Sequence, residues 1–183
     1  MPIAGHEVQP GFAVWITGLP ASGKSTIAGA LVRELSSRGV NAAVLESDAL
    51  RRVLTPRPTY TEEERHIFYG AMAYIGGLLT GHGVAVIFDA TGHRRAYRDR
   101  ARQQIVRFVE VYVDCPLDVC AARDPKGIYR GAREGAAIGV PGMQVPYEPP
   151  EKPEVVVHGD REKPEEAARR VVDTLVKKGY LEG

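Results

Sequence analysis

The chain has 183 residues, 44% of them hydrophobic, which is enough for one domain with a substantial core and short for two. Its 24 basic and 23 acidic residues leave a formal charge of +1, so no global field draws it to nucleic acid or to an anionic membrane, and an anionic ligand must be held locally. No apolar run approaches the roughly 20 residues of a membrane span, the stretch Met1 to Gln9 lacks a signal-peptide layout, and Cys115 and Cys120 match neither a CxxC redox pair nor a zinc spacing, so a cytoplasmic protein with reduced core thiols is expected.

Phe12 to Thr17 is an apolar, β-prone run. It gives way to Gly18-Leu19-Pro20-Ala21-Ser22-Gly23-Lys24-Ser25, two glycines followed by Lys and a hydroxyl residue. Beyond it, Thr26 to Ser37 carries Ile27, Ala30, Leu31 and Leu35 at helical spacing. Strand, tight loop and helix in that order suit a polyphosphate. Inward-turned backbone N–H groups and the unpaired donors of the first helical turn supply oriented positive charge. In such a loop Gly18 to Thr26 contact the nucleotide, Lys24 reaches the β- and γ-phosphates, and Ser25 sets its hydroxyl on Mg²⁺; ATP and Mg²⁺ are therefore the expected cofactors.

Further strand-like runs follow at Ala42 to Glu46, Val84 to Phe88, Phe108 to Val113 and Glu154 to Val157. Helical patterns separate them: a short one from Ala49, a long one from Thr61 to about Thr80, then Arg95 to Gln104, Leu117 to Arg123 and, last, Pro164 to Lys178. This alternation predicts a three-layer α/β fold of the P-loop NTPase kind, a mostly parallel sheet of about five strands with helices on both faces, spanning residues 1–183 as a single domain. Asp124 to Pro153 breaks the pattern. It holds six of the thirteen prolines yet carries Lys126, Arg130 and Arg133, the make-up of a lid or binding loop.

Ligands of open α/β sheets bind beyond the carboxyl ends of the strands, so the residues just after each strand are the site candidates. Glu46-Ser47-Asp48 and Asp89-Ala90-Thr91 place carboxylates at two of these ends. Either Asp48 or Asp89 could deprotonate an acceptor hydroxyl or anchor Mg²⁺ through water, and Asp48, directly before Ala49, could also cap the short helix. Arg94, Arg95, Arg98, Arg100, Arg102 and Arg107 form a basic segment opposed only by Asp99. Arginines on several sides of one helix predict a solvated face, not a nucleic-acid groove.

Onward from the phosphate loop the chain resembles the adenylylsulfate kinase family. The likeness is densest over Phe108-Val109-Glu110-Val111-Tyr112-Val113-Asp114-Cys115-Pro116-Leu117-Asp118-Val119-Cys120, then Arg123-Asp124-Pro125-Lys126-Gly127-Ile128-Tyr129, Ala132-Arg133 and Pro146-Tyr147-Glu148-Pro149-Pro150-Glu151-Lys152-Pro153-Glu154. The resemblance implies an ATP-dependent kinase acting on the ribose 3′-hydroxyl of adenosine 5′-phosphosulfate (adenylyl sulfate), and a homodimer. Asp48 falls on the second Asp of the family's Asp-Gly-Asp-Asn segment and is taken as the catalytic base, with Asp89 the alternative. Arg51 and Arg65 become acceptor-binding guanidiniums, Tyr60 the stacking partner of the acceptor's adenine, Lys126 a lid lysine on the acceptor, and Arg130 and Arg133 lid cations over the phosphates.

The departures are specific. A serine sometimes regarded in the family as a phosphorylated intermediate aligns with Gly92, which implies direct in-line transfer. A lid aromatic aligns with Val140, making that contact with the adenine apolar; Phe68 replaces an Asn; and Asp89 stands where the family is neutral, as in many other phosphate-loop kinases. The alternatives are a kinase for another small hydroxyl compound or nucleotide and a nucleic-acid 5′-hydroxyl kinase. A GTP switch lacks its guanine signature here.

Overall fold

The computed structural model describes residues 9–183; the first eight residues, and with them most of the stretch read above for a leader, lie outside the described part. Five strands, β1 (Ala13–Gly18), β2 (Ala42–Glu46), β3 (Ala85–Asp89), β4 (Phe108–Asp114) and β5 (Val155–His158), form one sheet in the order β2-β3-β1-β4-β5. Every pairing is parallel. Central β1 is buried along its whole length, as a strand covered on both faces must be, which is why it reads as a continuous apolar run.

Alternation along β1 divides the core in two. Val14 and Ile16 face α1 (Lys24–Ser37) and α7 (Pro164–Lys177), where Leu31, Leu35, Val171 and Leu175 are fully buried. Ala13 and Trp15 face α3 (Glu62–Gly81) and α4 (Arg95–Gln104), packing with Phe68, Met72, Phe88 and Ala101. A third cluster, Cys115, Cys120, Tyr129 and Val140, with Leu19 and Ala21 against it, seats the lid on the phosphate loop. The parallel register brings Glu46 level with Asp89 and Gly18 level with Val113, so the residues that end the strands share one edge.

Three local expectations change. The helix α2 (Ser47–Leu54) starts without a loop after β2; Glu46 takes the cap position with no side-chain cap bond, and Asp48 lies inside the first turn rather than capping. Its charge there complements the helix dipole. Within the proline-rich lid, beyond α5 (Leu117–Arg123), a short helix α6 (Ile128–Arg133) forms because the Asp124 carboxylate accepts from the amides of Tyr129 and Arg130 at 3.2 and 2.9 Å. The basic segment is a solvated face only in part: Arg94 and Arg100 are exposed, but Arg98 turns inward. Arg98 is 1% exposed, its Nε donating to Glu110 at 2.7 Å, while Arg102 makes a two-point pair with Glu154 and Arg94 pairs with Glu62. The guanidiniums of Arg94, Arg95, Arg98 and Arg102 neutralise carboxylates of neighbouring elements, which interrupts the cationic stripe along α4.

Candidate active site

The phosphate loop owes its shape to local backbone constraints. Ala21 has φ 60° and Gly23 has φ 107°, so the chain reverses twice within three residues before α1 begins at Lys24. Gly23 at the cap position needs a left-handed φ that costs a side-chain-bearing residue more. The first-turn amides of Lys24, Ser25 and Thr26 have no intrahelical acceptor and remain available to an anion.

Lys24 is 8% exposed, and its Nζ donates to the carbonyls of Gly18 at 3.0 Å and Leu19 at 2.7 Å. Burial drives its pKa down to about 8, although Asp89, Cys120 and Asp48 all pull the other way. The ammonium rests on the loop's own carbonyls. An arriving triphosphate would offer it stronger, charged acceptors.

A single cavity of about 990 Å³ runs from this loop to α3. Pro20, Ala21, Gly23, Lys24, Ser25 and Thr26 line one end; Arg51, Tyr60 and Arg65 line the other; Asp48, Asp89, Lys126 and Val140 lie on the wall as well. That volume sits at the upper end of the roughly 300–1,000 Å³ of small-ligand sites. Gly18, Leu19 and Ser22 support the loop without lining the cavity, and Arg130 and Arg133 are solvent-exposed side chains outside its lining. Tyr69 and Arg123 line it without having been singled out as site residues; Thr91 stands in the strand-end segment and Arg123 in the motif quoted above.

The far end is a cluster of cations held over aromatic rings. The Arg51 guanidinium lies 4.0 Å from the centre of Phe68 and 5.1 Å from that of Tyr60, with Nη1 3.3 Å from Glu64. Arg65 is 4% exposed and donates from Nε to the Tyr60 carbonyl at 2.9 Å and from Nη2 to the Gly139 carbonyl at 2.5 Å, tying α3 to the lid. Tyr60 itself has φ 54°, a strained value for a side-chain-bearing residue. Glu64 holds it there, accepting from the Thr59 and Tyr60 amides and the Thr59 hydroxyl. Burial alone would raise the Glu64 carboxyl, yet those bonds from Thr59 and Tyr60, with the Arg51 charge, keep it below the usual carboxylate range.

Across the cavity Lys126 of the lid forms an ion pair with Asp48, which raises the lysine's pKa. Asp89 is 5% exposed, and its charge partly offsets the lowering that burial imposes on Lys24. Ser25, Asp48 and Asp89 offer hydroxyl and carboxylate oxygens, the hard donors that suit Mg²⁺. Among the described residues no group of three or more His, Cys, Asp or Glu side chains could hold a metal, so phosphate oxygens would have to complete the shell.

The sequence pattern of the adenylylsulphate kinase family matches residues 10–158. The chain belongs to that family. It is 40% identical to an adenylyl-sulfate kinase of Microcystis aeruginosa over 173 residues, covering 94% of this chain and 96% of the relative. A probable adenylyl-sulfate kinase of Archaeoglobus fulgidus is 41% identical over 150 residues, 82% of this chain and 97% of that one. Among solved structures, the APS kinase CysC of Mycobacterium tuberculosis, in complex with AMPPNP and APS, superposes with a TM-score of 0.85 at 34% identity, covering 91% of this chain and 98% of that one. The five-stranded parallel sheet is thus that of a P-loop kinase, and the adenylylsulphate kinase family supplies the frame for its cavity.

Proposed function

We propose that this chain transfers the γ-phosphoryl group of ATP to the 3′-hydroxyl of adenosine 5′-phosphosulfate, giving 3′-phosphoadenosine 5′-phosphosulfate. The observation that carries the reading is one cavity with the phosphate loop at one end and Arg51, Tyr60 and Arg65 at the other. The triphosphate lies along the loop amides, and Lys24 turns from the Gly18 and Leu19 carbonyls to the β- and γ-phosphates. Arg51 and Arg65 bind the oxygens of the phosphate–sulfate anhydride, while Tyr60 offers its ring and Val140 its methyl groups to the acceptor's adenine. Ser25, with Asp48 or Asp89, would hold Mg²⁺, which would supply neutralisation of the phosphate charge during transfer.

In the transfer the 3′-oxygen attacks the γ-phosphorus in line, the bond to the β–γ bridging oxygen breaks, and the hydroxyl proton passes to Asp48 once Lys126 releases it. Asp89 is the second candidate for that proton. A coupled assay tests the reading: ATP consumption should depend on Mg²⁺ and adenylyl sulfate and be indifferent to single-stranded oligonucleotide. Equal turnover with gluconate, shikimate or a nucleoside would reassign the acceptor. Asp48→Asn should cut turnover by roughly 10² with ATP affinity intact; a near-normal Asp48→Asn beside a dead Asp89→Asn exchanges their roles.

The same reading includes a cytoplasmic homodimer. Free, buried Cys115 and Cys120 suit a reducing compartment, and Ile67, Tyr74 and Leu78, each more than half exposed on one side of α3, suit a second copy. Among the described residues no helix is long and apolar enough to cross a membrane. Sedimentation at the mass of one chain would remove the dimer from this reading.

A further inference from the structure

We propose that His93 is a positioning residue for the acceptor: its neutral imidazole accepts a hydrogen bond from Arg65 and aims that guanidinium into the cavity. The inference rests on Arg65 being an acceptor ligand, as read above. His93 follows β3, is 1% exposed, and packs edge-on against Tyr97 with ring centres 5.5 Å apart. Its Nδ1 lies 3.3 Å from Arg65 Nη1. Because a guanidinium has only donors and keeps its charge, the imidazole must be the acceptor. Nδ1 is therefore bare and the ring proton sits on Nε2, which has no hydrogen-bond partner among the described residues; Glu62 Oε1 is 3.6 Å away.

The surroundings favour the uncharged ring. Glu62 and Arg65 face it from α3, Arg94 and Tyr97 from the start of α4, and Glu62 is itself engaged by Arg94 at 2.8 Å and by the Tyr97 hydroxyl at 3.3 Å. Burial and the Arg65 charge push the His93 pKa down to about 4. A guanidinium has five N–H donors. In Arg65 three are committed, to the Tyr60 carbonyl, the Gly139 carbonyl and His93, so five minus three leaves two, one on each terminal nitrogen, for an anion. Without His93, only the Tyr60 and Gly139 carbonyls hold the planar group in place. Tyr60 and Gly139 offer carbonyls from loop segments that line the cavity, whereas His93 is anchored by its carbonyl to the Glu148 amide at 2.7 Å.

Steady-state kinetics of wild type, His93→Leu, His93→Asn, His93→Gln and Arg65→Ala test this, with each variant's binding of a non-hydrolysable ATP analogue as the check on folding. His93→Leu should raise the KM for adenylyl sulfate about tenfold, with the KM for ATP within about twofold and kcat within about threefold. His93→Asn keeps an oxygen acceptor near Nδ1 and should recover most of that loss; His93→Gln, whose oxygen falls near Nε2, should not. An acceptor KM within about twofold of wild type in His93→Leu, or Asn and Gln variants equally impaired, overturns the proposal. If His93→Leu does not fold, the Asn and Gln pair decides alone. An unchanged acceptor KM in Arg65→Ala removes Arg65 from the site and this inference with it, whereas a raised KM there beside an unaffected His93→Leu removes His93 alone.

Discussion

Replacing Lys24 by methionine should make the unliganded protein slightly more stable near neutral pH, and less stable than wild type at high pH. The wild-type ammonium is 8% exposed, and burial lowers its pKa from 10.5 to about 8. A shift of about 2.5 units, at about 1.4 kcal/mol each, means that keeping the charge in the folded state costs about 3 kcal/mol. The folded pKa lies below the unfolded one. Between about pH 8 and 10.5 the unfolded chain therefore holds more protons, and wild-type stability rises with pH through that window, while below it the full cost persists. Methionine removes this cost but also the bonds to the Gly18 and Leu19 carbonyls, about 1 kcal/mol each. The variant should lead by about 1 kcal/mol near pH 7, and the lead should shrink by up to about 1.4 kcal/mol per pH unit above 8 and reverse near pH 9. Urea unfolding of both proteins at about pH 7, 8.5 and 9.5, followed by the fluorescence of the one tryptophan, fully buried Trp15, measures it. Titrating groups that do not sense the Lys24 charge cancel in the difference. A difference that stays flat with pH refutes the argument, because it would mean that the ammonium is not destabilised by its burial.

The same lysine predicts proton uptake with nucleotide: ATP should restore its charge, so binding takes up about nine-tenths of a proton near pH 9 and about one-tenth near pH 7. Calorimetric titrations in buffers of different ionisation enthalpy read this directly, and zero uptake near pH 9 contradicts it. Phe68→Leu removes the ring lying 4.0 Å beneath Arg51 and should raise the acceptor KM about three- to tenfold while sparing that of ATP; equal effects on both substrates would mean general damage. Gly92→Ser, which would put back the family's serine, should destabilise by about 1–3 kcal/mol without raising turnover, since φ is +48° and a Cβ would meet Trp15 Cζ2 at 2.9 Å. Thermal unfolding checks it: an unshifted midpoint would show that the backbone and Trp15 accommodate the side chain.

What could be read before any coordinates were known is what the chain decides within a few residues of itself. Strands buried on both faces must be apolar throughout, and the amphipathic pattern of α7 names its own inner face, so the five strands and most helices lie within a residue or two of their expected bounds. The phosphate loop is equally local, because its function resides in backbone amides shaped by Gly23 and the first turn of α1. The lid helix α6 escaped because its cap, Asp124, stands among prolines and glycines that read as loop. His93 escaped as well: a lone histidine carries no signal until Arg65, 28 residues away in sequence, is brought against it. Likewise, nothing in the run of arginines on α4 tells that Arg98 turns inward to Glu110 while Arg100 stays in water. The partners of a charge are chosen by which strand ends and helices the sheet order sets side by side, and the Lys126–Asp48 pair, 78 residues apart, forms only because β2 and the lid meet over the same edge. Local sequence determines where charge is carried; only the tertiary structure decides which charges are neutralised and which are left to meet a ligand, because desolvation and pairing depend on neighbours remote in the chain.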